Sequence, residues 1–373
     1  MPITYIFGNG LSVAYQPDFY GLTALTTTVQ TELGLRTLGA QTLLEVTDSL
    51  VDRMRQGGPI HGVRSFEEYA GPLERLAASI SQLGNLGVAA ENAAEAAAIK
   101  NVAERARTLY VRVVAVVLDI VTRHVNKMGD ATPIQAVAEH LIEAAKANDE
   151  AHVFTLNYDA LLDSALLHFY SDDEGRPRDN SGFLLVDDAQ GNLGRTIQIN
   201  GQDVRALGFR EDLYGGKVTV RLYHLHGAAT WIRVRSTGEV VKVRHLQDLR
   251  DRDLWKRWAD GLESDIEPVV VLGDRKDRLI TRSPFDQQYG YLQSSVTASE
   301  DVVIAGYGFG DSPLNRAVRA ALHSGSRVWV INPDPAVENI ARNELNATGG
   351  RAGSLTFIAA GLPEGLIAFT GNR

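Results

Sequence analysis

The sequence contains no cysteine. This absence excludes disulfide bonds, thiolate nucleophiles, iron–sulfur clusters and every zinc site that has a Cys ligand. It also fits a reducing compartment, so we expect a cytoplasmic protein. We further expect that the functional site uses no metal ion.

Basic residues and long apolar runs are also scarce. There are 46 acidic residues and 37 basic ones, so the formal net charge is −9 and the basic face of a dedicated nucleic-acid-binding protein is missing. No apolar run approaches the roughly 20 residues that span a bilayer. The stretch from Met1 to Phe7 has no basic n-region, which favours a strand over a signal peptide. We therefore expect no membrane contact and no direct nucleic-acid binding, although a small anionic ligand needs only local donors.

Glycine stands at the end of the first apolar run. The run Ile3 to Phe7 predicts a strand, and Gly8-Asn9-Gly10-Leu11-Ser12 follows at once. A strand that enters a Gly-x-Gly turn is typical of dinucleotide-binding folds, because glycines let backbone N–H groups approach a pyrophosphate. The third glycine of the Rossmann fingerprint is missing, so the turn also has a purely structural interpretation.

Residues 22–148 form a block that we predict to be helical and inserted after the first strand. Apolar residues recur at helical spacing through most of this block. The predicted helical stretches are Leu22 to Met54, Phe66 to Leu83, Ala89 to Lys127 and Pro133 to Ala147. Their apolar stripes are most simply core, and an oligomer surface is the second interpretation.

Residues 149–373, together with 1–21, read as an α/β domain with a mainly parallel, Rossmann-like sheet, because apolar strands alternate with helical segments. Several of these strands end in polar or glycine-bearing loops, which a parallel sheet gathers at one edge. The loops begin at Gly8, Asn157, His226, Gly306 and Asn332. Residues 171–200 look like a loop or hairpin excursion, Trp231 to Val243 like a hairpin that turns at Thr237-Gly238, and Val269 to Leu272 like a buried strand that ends at Gly273-Asp274.

The loop Thr155-Leu156-Asn157-Tyr158-Asp159 joins a strand to a helical pattern. An Asn and an Asp at such a position can grip a sugar or an amide, or they can simply cap the next helix. The histidines His224 and His226 compete as proton acceptors at the end of another strand, and the glycine after His226 favours the latter. Asp311 reads as the cap of the helix that follows it.

These loops together resemble the sirtuin superfamily, in the order that the family uses. The matching motifs are Gly8-Asn9-Gly10-Leu11-Ser12, Pro17-Asp18-Phe19-Tyr20, Asn157-Tyr158-Asp159, His226-Gly227, Gly306-Tyr307-Gly308 and Ile331-Asn332. The resemblance covers about 1–21 and 150–373. Two departures are the missing four-Cys zinc ribbon of the sirtuin deacylases and Tyr20 in place of the loop arginine.

Without the ribbon and with a helical insertion, the sequence resembles the bacterial sirtuin-like NADases of antiviral defence. That resemblance implies cleavage of NAD+ to nicotinamide and ADP-ribose, often within a homo-oligomer, and a partner such as a HerA-type ATPase or a short Argonaute. It implies catalytic roles for Asn157, Asp159 and His226. The implied ligand-binding residues are Gly8, Asn9, Gly10 and Ser12 (pyrophosphate turn), Asp18 and Phe19 (nicotinamide end), Gly306 and Tyr307 (adenosine side), Asn332 (ribose), and Thr155 in the Asn157 loop.

Three other functions stay open at this stage. Gly306, Gly308 and Gly310, with a later acidic residue, resemble a dehydrogenase βαβ unit, but this leaves the Asn157 and His226 loops unexplained. The second alternative is a non-catalytic sensor or scaffold that binds NAD or ADP-ribose. The third is a zinc-free NAD-dependent protein deacylase.

Overall fold

A computed structural model of the chain describes thirteen stretches of the sequence. They are residues 2–54, 66–86, 93–124, 131–166, 184–187, 195–199, 202–207, 219–243, 249, 253–262, 266–272, 280–346 and 353–372. Every structural statement below concerns these residues.

The strands and helices are numbered in chain order. The strands are β1 Ile3–Phe7, β2 Thr37–Leu38, β3 Gln41–Thr42, β4 Glu150–Thr155, β5 Leu184–Asp187, β6 Arg195–Ile199, β7 Gln202–Leu207, β8 Thr219–His224, β9 Gly227–Val234, β10 Val240–Val243, β11 Ile266–Val270, β12 Asp301–Ala305, β13 Arg327–Ile331 and β14 Ser354–Ile358. The helices are α1 Gly10–Tyr15, α2 Pro17–Tyr20, α3 Leu22–Gly34, α4 Leu43–Met54, α5 Phe66–Leu86, α6 Ala93–His124, α7 Thr132–Asn148, α8 Leu161–Ala165, α9 Leu254–Ala259, α10 Phe285–Ala298, α11 Ser312–Ser324, α12 Ala336–Glu344 and α13 Glu364–Asn372.

The main sheet has seven strands in the order β14-β13-β12-β1-β4-β8-β5. Every neighbouring pair in it is parallel. Strands β1 and β12 are buried at every residue, which explains why both read as nearly continuous apolar runs in the sequence. The predicted α/β class with a Rossmann-like, mainly parallel sheet is confirmed.

Helices cover both faces of this sheet, and the strand residues alternate between two cores. Tyr5 and Phe7 pack into a core shared with α1, α3, α6, α7 and α13, whereas Ile6 packs into a core shared with α10, α11 and α12. The alternation follows from the two-residue period of a strand. The central strands are therefore packed on both faces, which positions the loops at their ends.

A second sheet of five strands, in the order β11-β9-β10-β7-β6, is antiparallel. The predicted hairpin is present as β9 and β10, and Gly238 turns it with φ of 72°. The strand that the sequence predicts at Val269 lies in this antiparallel sheet, as β11, and pairs with β9 instead of extending the parallel sheet. The neighbour of β11 is therefore β9, a strand of the hairpin, and the local apolar pattern does not reveal which strand a run of apolar residues pairs with. The predicted strand end at Gly273-Asp274 lies outside the described residues.

The helical block contains one feature that the sequence reading missed. The predicted helical stretch from Leu22 to Met54 is broken into α3 and α4 by the short hairpin of β2 and β3, which turns at Gly39 with φ of 68°. A glycine is favoured there because this backbone conformation is costly for other residues. The remaining predicted helices are present as α5, α6 and α7, although parts of the Ala89 to Lys127 stretch lie outside the described residues.

Helix α7 packs directly on β1, β4 and β8, so the last helix of the block covers the main sheet. The domain boundaries at 22–148 stay a prediction. Within the part of the chain that the structure describes, the search for a helix both long and apolar enough to cross a bilayer finds none. Of the predicted 171–200 excursion, only β5 and β6 fall among the described residues.

Candidate functional site

The carboxyl ends of the main-sheet strands are level with one another. The first residue after each of five strands, β1, β4, β8, β12 and β13, donates its N–H to the last carbonyl of the neighbouring strand. These bonds are Leu225 N to Thr155 O (3.0 Å), Leu156 N to Phe7 O (3.0 Å), Gly8 N to Ala305 O (3.0 Å), Gly306 N to Ile331 O (2.9 Å) and Asn332 N to Ile358 O (3.1 Å). The five polar and glycine loops of the sequence analysis therefore lie side by side along one edge.

The two glycine loops interlock at this edge. A Cβ atom at Gly8 would lie 2.5 Å from the Gly306 carbonyl oxygen, and one at Gly10 would lie 2.5 Å from the Gly306 Cα. Gly306 itself has φ of 63°, which disfavours any other residue. The Gly10 N–H donates to Gly306 O at 2.9 Å. These glycines are thus required by backbone packing, and their role toward a pyrophosphate stays a prediction.

Three of the expected site residues form one hydrogen-bonded set. The Ser12 hydroxyl donates to Asp159 Oδ2 at 2.5 Å and accepts from Asn157 Nδ2 at 2.9 Å. Thr155 holds the loop, since its Oγ1 accepts from the Asn157 N–H at 3.1 Å, and Asp159 Oδ1 accepts from the Leu161 N–H at 3.1 Å. Burial raises the pKa of the Asp159 carboxyl, and the hydrogen bond from Ser12 opposes that rise. One Asp159 oxygen thus satisfies the N–H of the first residue of α8, in line with the alternative interpretation, and the role of Asp159 toward a ligand stays a prediction.

The Pro17–Tyr20 motif, which the structure shows as the short helix α2, lies beside this set. Asn9 Nδ2 donates to the Tyr20 carbonyl oxygen at 2.9 Å, and the Phe19 ring packs edge-on against Tyr20 with centroids 4.9 Å apart. Burial raises the pKa of the Tyr20 hydroxyl strongly, and the nearby charge of Asp159 adds to the rise. The Tyr20 hydroxyl is buried and has no hydrogen-bond partner among the described residues. Asp18 is exposed in the first turn of α2.

His226 lies in a buried cluster of its own. Its Nε2 is 2.7 Å from Asp311 Oδ2 and 3.4 Å from the Tyr289 hydroxyl, which donates to the same Asp311 oxygen at 3.1 Å. The His226 ring stacks on Tyr158, with centroids 6.2 Å apart, so it adjoins the Asn157 loop. Gly227 is essential to this turn, because its φ is 73° and a Cβ there would lie 2.1 Å from the Val269 carbonyl oxygen.

His224 has a different environment. Strand β8 ends at His224, and His226 lies in the turn before β9. The alternation of side chains along a strand therefore does not relate the two histidines. His224 is fully buried and contacts Asp163 Oδ2 at 2.7 Å, and Lys242 from β10 contacts the other Asp163 oxygen. Burial favours a raised pKa for the Asp163 carboxyl, but the charges of His224 and Lys242 outweigh it, so that pKa lies far below its ordinary value.

Tyr307 connects the last two loops. Its hydroxyl accepts from the Asp311 N–H at 2.7 Å and donates to Asn315 Oδ1 at 2.9 Å, and its carbonyl oxygen accepts from Asn332 Nδ2 at 3.2 Å. Burial, then the charge of Asp311, raises the pKa of the Tyr307 hydroxyl. This side chain therefore supports the Asp311 loop, and its expected contact with adenosine stays a prediction.

Two residues of the edge were not predicted as part of the site. Asp311 caps α11 as expected, since its Oδ1 accepts from the Leu314 N–H at 2.9 Å, but its second oxygen faces His226. Tyr289 lies inside α10, where nothing in the local pattern distinguishes it. The position of Asp311, at the end of a glycine-rich loop that follows a buried strand, could have indicated a site residue. No sequence pattern indicated Tyr289.

A search for groups of three or more His, Asp or Glu side chains suited to a metal ion finds none among the described residues. The expectation of a metal-free site stays a prediction. The polar groups that the described residues bring to this edge are hydroxyl, amide, carboxylate and imidazole groups.

No family model and no curated protein matches the chain. Solved structures of Sir2 proteins are among those that overlap with it, and three of them follow. One comes from work on the mechanism and regulation of Sir2 enzymes (TM-score 0.38, 10% identity, 100% of this chain and 93% of that one). Another is a serine-to-alanine mutant of a Sir2 homologue with ADP-ribose (0.36, 14%, 92% and 90%). The third is a triple mutant of a Sir2 homologue with 2′-O-acetyl ADP-ribose (0.35, 14%, 92% and 90%).

At these TM-scores and identities the overlap carries no argument about activity. The fold class rests on the strand order and the parallel register of the chain itself. The chain is thus a Rossmann-like, mainly parallel α/β protein with a large helical segment between β1 and β4 and a polar, glycine-lined candidate site at the carboxyl edge of its main sheet.

Proposed function

We propose that this protein is an NAD+ glycohydrolase, which cleaves the bond between nicotinamide and ribose to give nicotinamide and ADP-ribose. The observation that carries the proposal is the set in which Ser12 joins Asn157 and Asp159. Ser12 lies in α1, shortly after β1, and Asn157 and Asp159 lie in the loop after β4, and all three are buried at the carboxyl edge of the sheet. Ligands of open α/β sheets bind at that edge.

The residue types suit the reaction. Nicotinamide leaves as a neutral ring, because the bond's electron pair neutralises its pyridinium nitrogen, so a general acid is not needed. The protein must hold the ribose and direct one water molecule at the anomeric carbon. The Asn157 amide can bind a ribose hydroxyl or that water, and His226 can accept the proton that water loses.

The nicotinamide carboxamide fits the other half of the set. A carboxamide offers two N–H donors and one carbonyl acceptor. Asp159 provides an acceptor for the first, and the unpartnered, buried hydroxyl of Tyr20 provides a donor for the second. Burying a polar group without a partner is costly, so a ligand that satisfies it gains affinity.

The biological setting that we propose is bacterial antiphage defence by NAD depletion in the cytoplasm. An NADase that is always active would kill its own cell, so a gate is required. We propose that residues 22–148 provide it, through a homo-oligomer and a partner such as a HerA-type ATPase or a short Argonaute. Size determination of the purified protein, alone and with the partner encoded beside it, tests this setting.

The decisive experiment measures nicotinamide release from NAD+ by the wild type and by Asn157→Ala. We expect the substitution to lower the rate by at least about 10²-fold, as for loss of one positioned polar group. The matched control is Asn148→Ala, because Asn148 is similarly buried but lies before the opposite end of β4. Equal activity of Asn157→Ala and wild type would refute the assignment.

Other products would identify the other functions. Binding of ADP-ribose without nicotinamide release, alone and with the partner, indicates a sensor or scaffold. Nicotinamide release only in the presence of an acylated lysine peptide indicates a deacylase, and NADH formation indicates a dehydrogenase. Each result contradicts the hydrolase proposal.

A further inference from the structure

Asp311 stands between His226 and the start of α11, and both of its carboxyl oxygens are engaged. Oδ1 accepts from the Leu314 N–H at 2.9 Å, and Oδ2 lies 2.7 Å from His226 Nε2. The Asp311 backbone N–H is held as well, by the Tyr307 hydroxyl at 2.7 Å. Asp311 is 1% exposed and His226 2% exposed, so solvent does not compete for either contact.

We propose that Asp311 is the positioning residue of the reaction, which holds His226 with its proton on Nε2 so that Nδ1 is the nitrogen that accepts a proton. This inference rests on the proposed function, because it assigns Asp311 to the same site. A carboxylate can only accept hydrogen bonds, so the nitrogen that faces it must carry the hydrogen. In a neutral imidazole the other nitrogen then carries the lone pair.

The helix cap makes this orientation hard to change. Because Oδ1 is committed to the first turn of α11, the carboxyl group cannot rotate to present it to His226 without uncapping the helix. The Tyr289 hydroxyl donates to the same Oδ2 at 3.1 Å, which further fixes that oxygen. Two donors from separate elements, a strand-end turn and a helix, thus converge on one carboxylate oxygen.

The proton transfer balances with these groups. The attacking water forms a bond from its oxygen to the anomeric carbon while the bond from that carbon to the nicotinamide nitrogen breaks, and the bond's electron pair stays on the nicotinamide ring. The water proton moves to Nδ1 of His226. The resulting imidazolium is stabilised by the negative charge of Asp311, and it later releases the proton to solvent.

Asp311→Asn tests the proposal, because asparagine is also a good helix cap. With its amide oxygen on the Leu314 N–H, the substituted side chain turns an N–H donor toward Nε2. His226 must then accept at Nε2 and carry its hydrogen on Nδ1. We expect kcat to fall by roughly 10²- to 10⁴-fold with little change in KM, as for loss of the correct tautomer in other His–Asp pairs.

The matched control is Asp301→Asn. Asp301 is also fully buried and hydrogen-bonded, to Arg327 and Trp329, but it lies at the other end of β12. A purely structural effect of losing a buried carboxylate lowers the stability of both variants and leaves kcat of the folded protein unchanged. Only a positioning role lowers kcat in Asp311→Asn alone.

A second measurement does not depend on activity. In protein labelled with ¹⁵N-histidine, the His226 signals, identified by their loss in His226→Gln, report which ring nitrogen carries the hydrogen. We expect Nε2–H in the wild type and Nδ1–H in Asp311→Asn. Nδ1–H in the wild type, or an unchanged kcat in Asp311→Asn, would overturn the proposal.

The two measurements also separate the proposals. If the wild type shows Nε2–H but releases no nicotinamide, alone or with its partner, the hydrolase function fails, and the His226–Asp311 contact is structural. If the wild type releases nicotinamide and the tautomer is Nδ1–H, the hydrolase function stands and the role of Asp311 is refuted.

Discussion

Replacing Lys242 with methionine removes one positive charge from the cluster of Lys242, Asp163 and His224. The three side chains are 3%, 4% and 0% exposed, respectively. Methionine keeps the length of the apolar stem, so the substitution changes charge more than packing. Because Asp163 lies in α8, directly after the Asn157 loop, and Lys242 lies in β10, the cluster joins the two sheets beside the candidate site.

The expected cost follows from the burial. Removing one partner of a buried ion pair leaves the other charge uncompensated, which destabilises proteins by about 3–5 kcal/mol. His224 still contacts Asp163 in the variant, so we expect the lower end of that range, about 3 kcal/mol, for Lys242→Met. The surface variant Lys146→Met is the control, since its exposed pair with Glu143 contributes no more than about 0.5 kcal/mol.

Urea unfolding at pH 7 measures these differences, followed by tryptophan fluorescence. One of the four tryptophans, Trp231, has its ring centroid 5.9 Å from that of His224, so part of this signal comes from beside the cluster. Asp163→Asn should cost a similar amount, because it strands the Lys242 ammonium. The double variant should cost about 2–3 kcal/mol less than the sum of the two, because neither charge is then left alone.

Additive losses in this cycle would refute the reasoning, since they would mean that the two groups do not interact. So would a Lys242→Met protein as stable as the wild type. In that case the desolvation of the charges offsets their attraction, and the cluster contributes no net stability.

Two further predictions concern other parts of the chain. Burial lowers the pKa of His140 to about 4, below the ordinary value of 6.5, so the unfolded state binds more protons between these values. The contribution of neutral His140 to the free energy of unfolding is therefore fully present above pH 6.5 and falls by up to roughly 3 kcal/mol as the pH drops to 4. Thermal melts across this range should show this loss in the wild type and not in His140→Gln. In urea unfolding, Gly227→Ala should lower the free energy of unfolding by about 2 kcal/mol or more beyond the effect of Gly238→Ala. Both glycines have φ near 70°, but a Cβ at Gly227 would meet a backbone oxygen, whereas the space around Gly238 is open. Equal costs would indicate that backbone conformation alone decides.

The sequence was sufficient to predict the parallel sheet and to bring the residues of the candidate site to one edge of it. Buried strands such as β1 and β12 are continuous apolar runs, and this pattern is strong because both faces are covered. Glycine and polar residues directly after such strands are equally visible. Once parallel strands are assumed, these loops must meet at one edge, which placed Ser12, Asn157 and Asp159 together before any contact was known.

The sequence was insufficient wherever a contact depends on how distant elements rotate or pair. His226 and Asp311 are 85 residues apart, and His226 and Tyr289 are 63 residues apart. Their meeting is set by the packing of α10 and α11 on the sheet, which no local period encodes. The sequence did not predict that β11 pairs with β9 for the same reason, since an apolar run does not specify which strand lies beside it.

The order of the main sheet has a consequence for the time course of synthesis. β1 is hydrogen-bonded to β12, and the Thr4 hydroxyl meets the Ser299 hydroxyl across 295 residues of chain. A ribosome adds about 5–20 residues per second, so the first strand waits roughly 15–60 s for this partner. The interlocked loops at Gly10 and Gly306 close only after that. The carboxyl edge of the main sheet is therefore assembled only after most of the chain has been synthesised.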